Sequence, residues 1–374
     1  MKGRYLVGAA LACLLAARIV LADVPAEEPG VVAAPPLGPH WVFLSDAAFF
    51  HLTEGKIVIV DADQGKLVSK LSTGYLANLL LSADGKEMYV AETFWSRGTR
   101  GVRTDVITVY DMTTFLPVGE VIIPGRFLAV TQPNNLGLSP DGRFLHVFNM
   151  TPETSVIVVD IKAREVVGEI STPGCALVLP AVDKFIMPCG DGTFLQVNLD
   201  SNGNEVSRGR TPDPVFNPDV DPISERPAKT GTGYAFTSYG GKVYEVDLSG
   251  SEPVYAEPWS LITAQEAGWL PGGWEQAAYN PHGNELFVAM HEGGPGTHEF
   301  PGSEIWVYDL ATKQKTRVIK PEEGALAIAV SRDDKPILAA ITETLSLAIM
   351  DATSGAHLSS VPGLLELGLV LETP

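Results

Sequence analysis

The chain has 374 residues, of which 45% are hydrophobic and 19% charged, and it carries a formal net charge of −19 at pH 7. The apolar fraction excludes a disordered chain, and the acidic balance excludes nucleic-acid binding, which needs a basic surface. The 37 glycines and 28 prolines indicate many turns, as in an all-β protein.

The first 22 residues are predicted to be an export signal. Lys2 and Arg4 precede the uncharged apolar run Tyr5 to Ala17, and Ala22 is a small residue at the position that a signal peptidase reads. The run is shorter than the roughly 20 residues that span a bilayer, so we expect cleavage after Ala22 and no membrane span afterwards. An uncleaved anchor is the alternative. Cleavage removes three basic residues and no acidic one, which leaves a net charge of −22.

The remaining chain is predicted to be a flexible leader followed by one repetitive domain. Residues 23–39 are rich in proline and alanine without periodicity, and residues 40–374 are assigned to the domain. Short apolar runs that end in Asp or Asn before a polar turn recur there at intervals of 38 to 62 residues. Such spacing predicts a propeller, a solenoid or a tandem array. The seven markers are Asp61, Asp111, Asp160, Asn198, Asp247, Asp309 and Asp351.

Each repeat is predicted to be a four-stranded sheet. In the second copy the strands are Leu79–Ser82, Met88–Glu92, Ile107–Asp111 and Gly119–Ile123. The Asp84-Gly85 turn between the first two supplies the positive φ that a tight hairpin requires.

The two ends of the domain are predicted to meet in one sheet. The strand-like run Gly363–Glu372 follows the seventh marker, so we expect it to form the inner strand of a first blade whose outer strands come from Trp41–Lys70. Closure of this kind removes exposed sheet edges. The expected fold is an all-β, seven-bladed β-propeller. An open solenoid is the alternative, although the chain shows no polar caps for one.

Three long intervals between markers contain insertions, which are expected to be loops; loops of that size in compact folds are more often functional than filler. They are Phe94 to Asp105, Trp259 to Trp274 and His291 to Gly302. The piece LITAQEAGW in the second insertion is predicted to be helical.

Two cysteines are expected to form a disulfide. Cys13 lies in the predicted signal, whereas Cys175 and Cys189 lie on either side of a turn between two apolar runs, with thirteen residues between them. This spacing suits a bridge across a hairpin, and an exported protein can keep it oxidised. A metal site would need further soft ligands nearby, and the sequence has none there.

No catalytic or metal-binding motif is recognised. His291-Glu292 and His298-Glu299 lie in a glycine-rich segment, without the helical spacing of a zinc motif. The pair Asp333-Asp334 could also suggest a metal site, but solvent-exposed polar side chains are the simpler interpretation. The Asp61 segment begins like a calcium loop and lacks the later ligands. We therefore expect no metal. From these residues alone, the chain is a binding scaffold or an enzyme with loop-borne residues.

The insertions resemble a known family. The segments Glu92 to Asp111, Pro258 to Gln276 and His291 to Asp309 together are similar to the heavy subunit of the quinoprotein amine dehydrogenases, which comprise the methylamine and aromatic amine enzymes. The pieces PWSLI and GTHEFPGSEIWVYD resemble the aromatic amine branch more closely. The resemblance covers Trp41 to the C-terminus, and Cys175 and Cys189 match the disulfide of the family.

The resemblance implies a function for an assembly. The family pairs its seven-bladed heavy chain with a small subunit in an α2β2 heterotetramer, and the small subunit carries tryptophan tryptophylquinone. That assembly oxidises a primary amine to an aldehyde and ammonia in the periplasm, and it passes electrons to a small blue-copper protein (azurin- or amicyanin-like). The cofactor and the catalytic base both belong to the small subunit. By this resemblance the present chain holds no cofactor and no catalytic residue of its own.

The resemblance also points to particular side chains. Trp95, with Phe94 as second choice, is expected to line the channel that leads to the quinone; packing between blades is the alternative. Arg97, Arg100 and Arg103 crowd one segment of an acidic chain, and are predicted to contact the small subunit or to pair locally with Asp105 and Glu92. His291 and His298 are further candidates for the subunit interface.

A second class of function stays open. The chain would then be a free-standing periplasmic propeller, acting as a binding scaffold or as a lactonase-like hydrolase. Fold alone does not separate this reading from the first.

Overall fold

The computed structural model describes residues 30, 32–51 and 53–374, so the predicted signal 1–22 and residues 23–29 of the predicted leader lie outside the described residues. Residues 32–38 form no helix or strand, and the Ala34 amide donates to the carbonyl oxygen of Thr113 at 2.7 Å. No helix in the described part of the chain is both long enough and apolar enough to cross a bilayer.

The described residues form 30 strands and three short 3₁₀-helices, and the strands are numbered in chain order. The first fifteen are β1 Trp41–Asp46, β2 Lys56–Asp61, β3 Lys66–Ser72, β4 Tyr75–Leu81, β5 Glu87–Arg97, β6 Arg100–Asp111, β7 Pro117–Ile123, β8 Leu136–Leu138, β9 Phe144–Met150, β10 Thr154–Asp160, β11 Glu165–Ser171, β12 Leu179–Ala181, β13 Lys184–Pro188, β14 Phe194–Leu199 and β15 Glu205–Arg210. The others are β16 Ala228–Lys229, β17 Gly233–Thr237, β18 Lys242–Asp247, β19 Val254–Tyr255, β20 Trp259–Ser260, β21 Trp269–Pro271, β22 Ala277–Asn280, β23 Glu285–Glu292, β24 Glu304–Asp309, β25 Gln314–Ile319, β26 Ala325–Val330, β27 Ile337–Thr342, β28 Leu347–Asp351, β29 His357–Val361 and β30 Gly368–Glu372. The 3₁₀-helices are Phe49–His51, Pro133–Asn135 and Ala264–Glu266.

These strands build seven antiparallel sheets, which confirms the predicted seven-bladed propeller. Blade 2 contains β4–β7, blade 3 β8–β11, blade 4 β12–β15, blade 5 β16–β20, blade 6 β21–β25 and blade 7 β26–β29. Blade 1 has the order β3-β2-β1-β30. Its inner strand therefore comes from the C-terminal run, as expected, with Phe43 opposite Glu372.

Apolar side chains between neighbouring sheets hold the ring together. The second strand of several blades contributes a phenylalanine with no more than 1% of its surface exposed, since that strand is covered on both faces. These residues are Phe43, Phe185, Phe236 and Phe287. The seven buried clusters that result each include residues of neighbouring sheets.

The polar turns predicted after the recurrent acidic markers are present, and the marker side chains cap them. Asp111 Oδ1 accepts the Thr114 amide at 2.8 Å, and Asp351 Oδ1 accepts the Ser354 amide at 2.6 Å. Blade 4 differs, because Asp200 rather than Asn198 accepts the turn amides there. The predicted turn at Gly85 also forms, with a φ of 66°.

Two expectations for the insertions need correction. The segment Phe94 to Asp105 is no loop, because β5 and β6 stay paired as far as Arg97 and Arg100 and extend beyond the blade. The predicted helix in Trp259 to Trp274 shrinks to one 3₁₀ turn at Ala264–Glu266. The residues that would continue the predicted helix form β21 instead, and this strand pairs with β23.

The disulfide between Cys175 and Cys189 is present. The two sulfurs lie 2.07 Å apart, and the two backbones form an isolated antiparallel bridge. This bridge closes the open end of the β12–β13 hairpin.

Replacing both cysteines with alanine is expected to lower the free energy of unfolding by about 3 kcal/mol, because the cross-link restricts the unfolded chain. Chemical denaturation of the double variant should match that of the wild-type protein in a reductant. A variant as stable as the oxidised wild-type protein would contradict the prediction.

His40 joins the first blade to the last. Its Nδ1 lies 2.6 Å from Asp63 Oδ1, and its Nε2 lies 3.2 Å from Asp333 Oδ2 in the loop after β26. Burial acts to lower the pKa of His40, but the hydrogen bonds and charges of the two carboxylates outweigh it and raise the pKa above 6.5.

A raised folded-state pKa means that this contact stabilises the ring below about pH 6.5 and loses its effect as the pH rises through the folded value. His40→Asn should therefore lower the unfolding midpoint at about pH 6 and have a smaller effect at about pH 9. The control is His282→Asn, because His282 is exposed and its side chain forms no hydrogen bond with another described residue. Equal losses at both pH values for His40→Asn would refute this role.

Candidate functional site

The three insertions lie on one face of the ring, which we call the insertion face. At this face the second strand of each blade ends and its innermost strand begins, as the pairing of Tyr75 with Thr93 shows in blade 2. The two insertions of blade 6 meet each other there, because the Gly293 amide donates to the carbonyl oxygen of Gly268 at 2.8 Å. The β5–β6 extension of blade 2 belongs to another part of the ring.

Two aromatic rings stand side by side on the extension. Phe94 is 42% exposed, whereas Trp95 packs edge-on against Tyr75 with the ring centres 5.5 Å apart. Successive residues of a strand point to opposite faces, so the two rings lie on opposite sides of the extension. Gly74 lets Phe94 approach the backbone closely, since a Cβ there would lie 3.1 Å from the ring. Phe94 thus offers an open apolar surface, and Trp95 is backed by protein.

Arg103 supports Trp95 from the neighbouring strand. Its guanidinium carbon lies 5.8 Å from the centre of the Trp95 ring, and its Nη2 lies 2.9 Å from Asp105 Oδ1. Asp105 also accepts the Thr93 hydroxyl at 2.6 Å. The local pairing that the sequence allowed therefore holds for Arg103.

Below the rings lies a buried polar network that the sequence did not reveal. Arg126, in the segment between blades 2 and 3, donates from Nη2 to the carbonyl oxygen of Leu76 at 2.6 Å and to Asn78 Oδ1 at 2.8 Å. The Arg126 carbonyl oxygen in turn accepts from Arg103. Burial lowers the pKa of Arg126 to about 10. The network ties the extension to the inner strand of its blade.

Glu92 lies at the base of the extension, close enough to interact with the charge of Arg126. The carboxylate is fully buried and accepts the Gly74 amide and the Thr108 hydroxyl, both at 2.6 Å. Burial is the main cause of its raised pKa, and the two hydrogen bonds act in the other direction. Glu92 thus holds the backbone at Gly74, where a Cβ would lie 3.1 Å from the Phe94 ring.

The tip of the extension carries free positive charge. Arg97 and Arg100 face each other across the two strands. Both are exposed, and neither makes an ion pair with another described residue. Beside them Val102 is 72% exposed. Cations next to an apolar side chain suit contact with an acidic partner surface.

The two histidines predicted for the subunit interface, His291 and His298, belong to blade 6. Their side chains contact different partners. His291 is buried, with its Nε2 2.8 Å from Thr297 Oγ1, and burial lowers its pKa. His298 stacks on Tyr239 of blade 5 at 4.0 Å between ring centres. Among the described residues there is no group of three or more His, Cys, Asp or Glu side chains arranged for a metal.

Comparison with known proteins decides the family. The family model for the methylamine dehydrogenase heavy chain matches residues 39–372. The chain belongs to this family. It is therefore the heavy subunit of an amine dehydrogenase, as its insertions indicated. The placement in the aromatic amine branch stays a prediction.

Curated members of the family resemble the chain over most of its length. The methylamine dehydrogenase heavy chain of Methylophilus methylotrophus is 30% identical over 342 residues, covering 90% of this chain and 84% of the relative. That of Methylorubrum extorquens is 30% identical over 355 residues, covering 92% and 85%.

Two solved structures resemble this chain in fold only. Dihydro-heme d1 dehydrogenase NirN has a TM-score of 0.55 at 16% identity, covering 90% of this chain and 75% of that protein. AztD from Citrobacter koseri has a TM-score of 0.53 at 14% identity, covering 91% and 97%.

Proposed function

We propose that this chain assembles in the periplasm with a small subunit bearing tryptophan tryptophylquinone, as an α2β2 heterotetramer. The assembly oxidises primary amines to aldehydes and ammonia, and it passes electrons to a blue-copper protein. The family match over residues 39–372 carries this proposal. The quinone, when bound, supplies the electron sink, and the present chain supplies scaffold, channel wall and docking surface.

The tryptophans of this chain fit packing roles better than a cofactor role. Within the described residues one tryptophan pair is in ring contact, Trp269 and Trp306, with centres 5.2 Å apart. Trp306 is only 2% exposed and carries the ammonium of Lys315 over its ring. Its Nε1 donates to Glu304 at 2.7 Å. These contacts support the assignment of the quinone to the small subunit.

The β5–β6 extension is the part of the chain proposed to line the substrate channel. Phe94 contributes an open ring, while Trp95, held between Tyr75 and Arg103, contributes a fixed one. Rings of this kind restrict an entrance by their bulk and stack on aromatic substrates. This arrangement supports the aromatic amine branch.

Charge supports the proposed contact with other proteins. Arg97 and Arg100 project from a chain whose net charge is −19, so they are proposed to meet acidic groups of the small subunit. His291 and His298 lie near a second part of the insertion face, where they are proposed to border the same subunit.

Isolation of the native protein tests the proposal. The chain should co-purify with a small, cysteine-rich subunit that has a visible quinone absorbance, and addition of a primary amine should bleach it. Substitution of Arg97 and Arg100 by Glu should weaken this association, whereas Lys70→Glu on the outer strand β3 should not. A colourless monomer with hydrolase activity would instead support the free-standing propeller.

A further inference from the structure

The innermost strands of the seven blades line a cavity. Its volume is about 720 Å³, and its wall includes the ends of the innermost strands, such as Leu81, Leu138 and Val330. Those ends lie opposite the insertion face, so we call it the distal cavity. The proposed amine chemistry makes no use of it.

One side of the distal cavity is apolar. Blades 2, 3 and 4 contribute Leu80, Leu81, Leu138 and Pro180. Each keeps part of its surface exposed, although residues on inner strands have little access to outside solvent. The apolar wall therefore meets the cavity itself, and an apolar group placed there would be removed from water.

The other side is charged, and its cations lack partners. Blades 5 and 7 contribute Lys229 and Arg332, which are both exposed and make no ion pair or hydrogen bond through their side chains among the described residues. The Lys229 pKa is lowered first by burial and then by the charge of Arg332, while the charge of Glu372 acts to raise it. Arg332 therefore lies close enough to repel Lys229, and Glu372 close enough to attract it. Two uncompensated cations in one cavity are unusual in a chain with a net charge of −19.

The described acidic side chains of the cavity form no ion pair with these cations. Burial raises the pKa of Glu275 and of Glu372 to about 8 each, which favours the neutral form of both carboxyls. Glu275 Oε2 is already engaged by the Leu371 amide at 2.8 Å. At the rim, Asp84 is paired with Lys86 at 3.0 Å. Neither Lys229 nor Arg332 is thus paired directly with a carboxylate of the wall among the described residues.

We propose that the distal cavity binds a small organic anion with an apolar body, its anionic head on Lys229 and Arg332 and its body against Leu80 and Leu138. An anion there would relieve the repulsion between the two cations. The apolar wall distinguishes this ligand from an inorganic anion, and the cations distinguish it from a neutral one. Pockets that combine an apolar lining with a few fixed polar groups are typical of small-molecule sites.

Calorimetric titration of the purified full-length protein tests this site with three probes: hexanoate, hexanamide and inorganic phosphate. Hexanoate should bind saturably, and the other two should bind at least about tenfold more weakly. Binding should also weaken above about pH 8, because Glu275 and Glu372 then ionise beside the anion. Absence of saturable hexanoate binding, or equal affinity for hexanamide or phosphate, would overturn the proposal.

Variants locate the site. Lys229→Met and Arg332→Gln should each weaken hexanoate binding at least about tenfold, while Lys335→Met, an exposed lysine three residues beyond Arg332 and outside the cavity wall, should leave it unchanged. Should Lys229→Met fail to fold, Arg332→Gln on the exposed rim still decides.

In crystals soaked with 6-bromohexanoate, the bromine should lie against Leu80 and Leu138; a bromine elsewhere would refute the site. Amine oxidation is not measured in these experiments, so they are independent of the proposed function.

Discussion

Replacing Phe94 with alanine is expected to lower kcat/KM for an aromatic amine such as 2-phenylethylamine by about tenfold or more, and to affect methylamine less. A fully buried phenylalanine-sized contact is worth about 1.5–3 kcal/mol, with about 0.5–1.5 kcal/mol more for aromatic stacking. Phe94 is 42% exposed and therefore free to make such a contact. Steady-state kinetics over a series of amines measures the change in preference.

Trp95→Ala should change the same preference and also loosen the β5–β6 extension, since Trp95 loses its contacts with Tyr75 and Arg103. Trp95→Phe keeps an aromatic ring, so it should change the amine preference and loosen the extension less than Trp95→Ala does. Phe127→Ala is the matched control, because Phe127 is also 42% exposed but lies outside the extension. Quinone absorbance should be unchanged in all variants. Unaltered amine preference in both Phe94→Ala and Trp95→Ala would remove the extension from the channel.

Arg126→Met is expected to lower the free energy of unfolding by about 3 to 5 kcal/mol, the loss typical when one partner of a buried charged network is removed. The variant leaves the carbonyl oxygen of Leu76 and the Asn78 side chain without their donor. It also removes the positive charge that faces Asp105 and Glu92. Urea denaturation followed by tryptophan fluorescence measures the loss.

Arg97→Met provides the comparison for Arg126→Met. Both substitutions remove the same side chain, but Arg97 is exposed at the tip of the extension, where a surface change is usually within about 0.5 kcal/mol. Similar stabilities for the two variants would show that the network around Arg126 contributes little.

The architecture was predictable because each blade repeats a local pattern. The alternation of apolar residues and the turn that follows each Asp are set by neighbours in the chain, and Asp111 and Asp351 indeed cap their turns. The closing strand was predictable for the same reason, since Gly368–Glu372 has the composition of a strand and no other partner was available.

The site was less predictable because its contacts join distant residues. The extension of β5 and β6 beyond the blade has no buried face to impose alternation, so its polar sequence was taken for a loop. Thr263 and Glu266 form a capping box, which favours a helix locally, yet pairing of β21 with β23 ends it after one turn. Arg126 finds its partners about fifty residues earlier in the chain, and nothing beside it in the sequence indicates them.

The pairing of Phe43 with Glu372 in blade 1 has a consequence for biosynthesis. The ribosome makes the first three strands of that sheet early and its fourth nearly last, so six blades emerge while the wheel is still open. Until then β1 presents an unpaired edge that other polypeptides can join. Cleavage just before Gly368 would expose the same edge in the finished molecule.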